Sequence, residues 1–222
     1  MPRTAPAPLT ATAVLSLPLL LVAGGCLALW GTEAAVAAHF ALWRAEHQTA
    51  TRLLTYYTDF GNLAFYLVYA GILVQALRQR SKDRLCLVLA YLGAQLLVSL
   101  LAARVLKIGI GRPRPLVGGS LLPFTLEPSQ HSLPSGHSTE MTLQTLPLAL
   151  RAQSLLPPLL LGLALGLMAF SRIALGWHHP TDVLAGWALG LLGGLLVQRF
   201  AQALMHNPRL SQQLRQKLGW NA

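Results

Sequence analysis

LLPPLLLGLALGLMAFSRIAL, from Leu155 to Leu175, holds one ionisable residue in 21, and that one, Arg172, lies three residues from its end. A helix of this length covers the ~30 Å of hydrocarbon in a bilayer, for which roughly 20 apolar residues are needed. Backbone polar groups in lipid must be satisfied within their own segment, so such a run is a helix. Similar runs lie on both sides of it: Ala11 to Gly31, Phe60 to Leu77, Leu85 to Leu106 and Val183 to Leu204. A shorter one, Ser138 to Leu150, carries Glu140, Gln144 and Pro147, and is expected to start inside the protein and sit among the others. The fold class predicted is all-α, a six-span helical membrane bundle forming a single domain over residues 1–222. Composition agrees: charged residues make up 11% of the chain, against ~25% in soluble domains, and hydrophobic residues 54%. No internal repeat is visible.

The formal net charge is +10, yet the pattern argues against nucleic acid as a partner. The basic residues sit at span boundaries rather than on one polar face, as membrane orientation signals do. Arg78, Arg80, Lys82 and Arg84 crowd one connection, opposed by Asp83 alone, and that connection is expected to be cytoplasmic. The tail with Arg199, Arg209, Arg215 and Lys217 is placed on the same side, so both termini of a multi-pass membrane protein are expected to be cytoplasmic. The tail from Asn207 to Gly219 reads either as a basic amphipathic piece on the anionic leaflet or as a solvated segment. The connections Glu33 to Asp59, Lys107 to His137 and Arg172 to Asp182 then face outward. Cys26 and Cys86 lie in or beside apolar runs and suggest no disulfide framework. Val22 to Cys26 is faintly like a lipoprotein cleavage site; the first span is read as retained.

Three short clusters carry the chemistry, all on the outward side. Lys107-Ile108-Gly109-Ile110-Gly111-Arg112-Pro113-Arg114-Pro115 ends the third span, with glycines that permit a close turn and prolines that stiffen the exit. A basic stop at a helix end explains it alone. Cations on the side disfavoured by the positive-inside rule, however, suggest an anionic ligand. Pro134-Ser135-Gly136-His137 opens the fourth span, where free amides and the positive dipole end suit a phosphate oxygen. Helix capping by Ser135 explains this cluster too, but not the adjacent histidine. Glu140, one turn on, is a possible partner for His137 and equally an interface residue.

The third cluster runs from Ser171 to Asp182. His178 and Asp182 are four residues apart, so on one helix they share a face, and a carboxylate there can fix an imidazole tautomer and stabilise its cation. A structural Asp-His tether is the alternative. Arg172 and Asp182 are costly at a membrane boundary unless paired or used. His179 breaks the spacing and reads as a rim residue.

Together the clusters resemble the signature of the type 2 phosphatidic acid phosphatases, the lipid phosphatase superfamily that includes vanadium haloperoxidases. Lys107, six residues, then Arg114-Pro115 matches the first motif, and Pro134-Ser135-Gly136-His137 the second. Ser171-Arg172, five residues, His178, three residues and Asp182 matches the third. The motifs cover about a fifth of the chain, and span order extends the likeness over nearly all of it.

The resemblance implies an enzyme that removes phosphate from a lipid head group. His178 would attack phosphorus to give a phosphohistidine, Asp182 would orient its ring, and His137 would protonate the leaving oxygen and then activate water. Lys107, Arg114 and Arg172 would surround the phosphoryl oxygens, with amides near Ser135 and Gly136 completing the cradle. Three fixed cations would stand in for magnesium, so no metal and no cofactor are expected. The substrate comes from the bilayer: undecaprenyl pyrophosphate, phosphatidylglycerol phosphate, phosphatidic acid or a lipid A phosphate, with the polyprenyl pyrophosphate favoured. No obligate protein partner is evident. Lipid-to-lipid phosphotransfer would use the same residues. A lipid or anion transporter fits less well, lacking repeated halves. A metal hydrolase built from His131, His137, His178, His179 and Asp182 lacks the usual ligand spacings.

Overall fold

The computed structural model describes residues 5–218 and 220; Gly219, noted above, lies outside them. Among the described residues five stretches are long and apolar enough to cross a membrane: α1 (Pro8–Trp30), α3 (Gln48–Arg78), the continuous Lys82–Ile110, α7 (Leu156–Ala174) and α8 (Pro180–Met205). The third of these is α4 (Lys82–Ala94), a π-helical stretch Gln95–Ala102 and α5 (Ala103–Ile110). The sixth expected span is α6 (Gly136–Ala149), whose 14 residues reach about 21 Å, short of the hydrocarbon on its own.

Packing explains how so polar a helix as α6 can lie among apolar ones. Ser138, Thr139, Thr142, Gln144 and Thr145 are all fully buried in it. Thr139, Thr142 and Thr145 each donate to the carbonyl four residues back, at 2.9, 2.7 and 2.7 Å, so their hydroxyls are satisfied within the helix. Glycines on α8 let the two backbones close up: a Cβ at Gly186 would stand 2.4 Å from the Ser135 carbonyl oxygen, and one at Gly190 2.5 Å from that of Thr139. Likewise Gly162 and Gly166 of α7 lie on Leu15 and Pro18 of α1, so α1 and α7 run parallel.

The span-counting expectation fails between Glu33 and Asp59. In place of a connection the chain forms α2 (Glu33–Glu46) and the first turns of α3. The Thr32 hydroxyl accepts the Ala35 amide, Glu33 sits in the first turn and Arg44 in the last, a helix specified by its ends rather than by a long apolar run. It lies across the bundle end on Val36, Ala37 and Phe40. The Arg44 guanidinium caps α7 through the Ala174 carbonyl at 2.7 Å.

At the opposite end, Lys82 donates to the Met205 carbonyl at 2.6 Å and to the Ser211 hydroxyl at 2.5 Å. The basic connection and the tail therefore share a face. The tail forms α9 (Pro208–Leu218), with Leu214 buried, so it is docked rather than solvated. Cys26 and Cys86 are free and buried.

Candidate active site

The three clusters meet at the bundle end beneath α2. Gly111, with φ +59°, ends α5 in the left-handed region, where a Cβ would collide with the Leu122 carbonyl at 1.7 Å. Gly109 meets nothing and has no such role. The turn at Gly111 sends the following loop back over the helix, and Arg114 is fixed by its amide on the Ser129 carbonyl at 2.9 Å and its Nε on the Pro128 carbonyl at 3.2 Å. Lys107, one turn before the helix end, donates to the His131 carbonyl at 3.2 Å.

Arg172 ends α7 with 6% of its surface exposed and donates through Nη1 to the Thr58 hydroxyl at 2.9 Å. Lys107, Arg114, Arg172, His137 and His178 all lie near enough for their charges to act on one another. Trp177 stands between two of the cations, its ring 4.9 Å from the Arg114 guanidinium carbon and 5.6 Å from that of Arg172. An aromatic face there offsets the repulsion of two neighbouring guanidiniums.

His178 is 2% exposed and lies 3.8 Å, through Nδ1, from Asp182 Oδ2, farther than a hydrogen bond reaches. Asp182, fully buried, is held by other donors: Arg112 Nη1 at 2.5 Å on Oδ1, and the Ser132 hydroxyl at 2.5 Å and the His179 amide at 2.8 Å on Oδ2. Burial pushes the His178 imidazole down to about 4; Arg172 and Lys107 push the same way, and Asp182 opposes them. Two buried polar atoms without a partner, His178 Nδ1 and Arg172 Nε, belong to this site. Buried polar groups are nearly always satisfied; the His178 atom faces Asp182, and the Arg172 Nε is the one that a ligand oxygen would satisfy.

Two expectations change. The Ser135 amide donates to the Asp182 carbonyl at 2.9 Å and its hydroxyl caps α6 through the Ser138 amide, so Ser135 ties the second cluster to the third rather than offering an amide to a ligand. Gly136 lies beside the Lys107 ammonium, a Cβ there falling 3.9 Å from it. Glu140 is bonded away from the His137 ring, to Asn62 at 2.6 Å, to Gln95 at 2.8 Å and to the Tyr66 hydroxyl. His179 sits at the rim, its ring facing the Pro113 carbonyl at 3.3 Å. Among the described residues no three His, Cys, Asp or Glu side chains gather as a metal site.

Sequence alone assigns no role to Arg112, Ser132, Glu33 or Trp177. Arg112 bridges Asp182 to Glu33, and Glu33 also accepts from the Thr181 hydroxyl at 2.5 Å, so α2 is wired to the aspartate. The doubled Arg-Pro at Arg112 and Arg114 was the available signal.

The PAP2 superfamily model matches residues 83–206, more than half of the chain and all three clusters. The chain belongs to the PAP2 superfamily. This PAP2 protein is 26% identical to an undecaprenyl-diphosphatase of Bacillus subtilis over 153 residues, 68% of its own length and 75% of that relative's. It is 32% identical to a lipid A 1-phosphatase of Rhizobium johnstonii over 63% of each chain. Over a shorter 70 residues, 32% of the chain and 37% of the relative, it is 46% identical to a decaprenylphosphoryl-5-phosphoribose phosphatase of Mycobacterium tuberculosis. No solved structure matches it. As a PAP2 protein it is a lipid phosphatase or diphosphate hydrolase.

Proposed function

We propose that this PAP2 protein hydrolyses a phosphomonoester or diphosphate on a membrane lipid through a phosphohistidine on His178, at the extracytoplasmic face. The observation that carries the reading is the meeting of three cations and two imidazoles, from three separate segments, within one another's electrostatic reach. In the first step a His178 nitrogen forms a bond to phosphorus while the lipid oxygen leaves with a proton from His137. In the second, His137 takes a proton from water, the hydroxide displaces His178, and phosphate departs. Lys107, Arg114 and Arg172 hold the equatorial oxygens throughout, supplying charge that many phosphoryl-transfer sites draw from magnesium. Asp182, immobilised by Arg112 and Ser132, stabilises the imidazolium form of His178.

A polyprenyl diphosphate is the favoured substrate, supported by the similarity to the undecaprenyl-diphosphatase of Bacillus subtilis over 68% of this chain and 75% of that relative. Orientation rests on Arg78, Arg84 and the docked tail, which share the face away from the site, as cytoplasmic basic segments do. Purified protein in detergent is expected to release inorganic phosphate from a panel of polyprenyl diphosphate, phosphatidylglycerol phosphate, phosphatidic acid and lipid A phosphate, fastest from the first. Release from none of them sinks the reading, and a sealed membrane is not required, as it would be for transport.

His137→Ala separates acid from nucleophile. A roughly 10²–10⁴-fold slowing is expected for a lipid phosphate with a poor leaving group, and much less for an aryl phosphate. Equal losses with both would remove His137 from the acid role.

A further inference from the structure

The loop between α5 and α6 has the surface of a membrane span without being a helix. From Pro115 to Leu126 it contains no charged residue. Leu116, Val117, Leu121, Leu122, Phe124 and Leu126 all project from it, Phe124 with 85% and Leu126 with 73% of their surface exposed. The connections on the opposite face are built otherwise: Gln79-Arg80-Ser81 exposes no large apolar side chain, and the stretch from Leu150 to Leu155 exposes Leu155, at 43%, beside Arg151, Gln153 and Ser154.

The backbone holds these side chains out. Leu116 and Phe124 have φ of +67° and +61°, a conformation costly for bulky residues. Phe124 is pinned there by its amide on the Ile108 carbonyl, and Leu122 by its amide on that of Gly111, both at 2.8 Å. The apolar face is thus fixed to the last turn of a span. It continues the exposed surface of Leu101, Val105 and Leu106 on that span. Between the loop and α2 runs a cavity of about 440 Å³, lined by Leu116 and Gly118 on one wall and Ala34 and Ala37 on the other, with Glu33, His179 and Arg114 also on its lining.

We infer that the loop 115–126 lies in the leaflet on the site's side of the membrane, and that the cavity beside it admits the proximal chain of the lipid to Arg114. Continuity with the lipid-facing side of α5 assigns the occupant: a lipid surface, not a second protein. The access half of the inference rests on the function proposed above; immersion of the loop does not.

Because Cys26 and Cys86 are buried, Phe124→Cys can be labelled selectively with an environment-sensitive fluorophore in the full chain, with Gln153→Cys as the opposite-face control. In phosphatidylglycerol-containing vesicles the label at 124 is expected to be quenched by a shallow spin-labelled lipid and shielded from iodide, and the label at 153 the reverse. A label at 124 open to iodide and untouched by the spin-labelled lipid overturns immersion. The triple variant Leu116→Ser, Phe124→Ser, Leu126→Ser is expected to lose at least tenfold in kcat/KM for a long-chain lipid phosphate while keeping that for a short-chain soluble ester. Equal loss on both overturns the access role. Wild-type protein inactive on both would defeat the proposed function and leave the quenching result to judge the loop.

Discussion

Replacing His178 with alanine is expected to lower phosphate release by on the order of 10⁵-fold, the scale on which losing a nucleophile leaves only binding and electrostatics. The loss is chemical rather than structural. His178 Nδ1 has no hydrogen-bond partner, so the substitution removes packing and costs roughly 0.5–3 kcal/mol of stability. The variant is therefore expected to insert in membranes and elute from gel filtration as the wild type does. A purified variant with near-wild-type turnover ends the nucleophile assignment. The pH profile gives an independent check. With its imidazole pushed down to about 4 from the ordinary 6.5, His178 is uncharged, and able to attack, at neutral pH. The acid limb of kcat/KM, corrected for ionisation of the substrate, is expected near pH 4 rather than 6.5. The same shift bears on folding. Between about pH 6.5 and 4 the unfolded chain holds a proton that the folded one does not, so this residue lowers stability as pH falls through that window.

For Arg172→Ala the expected loss is on the order of 10²–10³-fold in kcat, comparable to deleting one donor that stabilises transition-state charge. Arg172 reaches the site from the end of α7, held by Thr58 on one side and the Trp177 ring on the other, with Nε left for a ligand. Lysine at this position lacks the planar fork and is expected to restore only part of the rate. Since Arg172 stands among Lys107 and Arg114, removing it relieves repulsion, and Tm is expected to stay level or rise. If the whole effect fell on KM, with kcat unchanged, Arg172 would be a general phosphate anchor rather than a stabiliser of the transferring group.

The spans were legible because lipid leaves the backbone no choice and composition announces it. Of the candidate site, Lys107, Arg114, Arg172, His178 and Asp182 stand out in the sequence because ionisable residues are rare in this chain and these cluster at the ends of apolar runs. What stayed hidden depends on partners that sequence does not pair. Arg112 reads as one more basic residue until Asp182 and Glu33 are found on either side of it. Glu33 itself sat in a stretch taken for a connection, since α2 is specified by a cap and a single apolar face. Glu140 was read locally, against His137 one turn away, whereas its donors come from α3 and the π-helical stretch, 45 residues back in the case of Gln95.

The glycine seam between α6 and α8 has one more consequence. With Gly186 and Gly190 pressed on the backbone carbonyls of Ser135 and Thr139, the two helices form a welded pair. His137 opens one member, and His178 is carried just ahead of the other. The helix ends next to the two imidazoles cannot slide past one another without parting that weld. Give, when a bulky guest arrives, is expected from the opposite wall, where α2 holds on by side chains, Arg44 on the Ala174 carbonyl and Glu33 on Thr181 and Arg112.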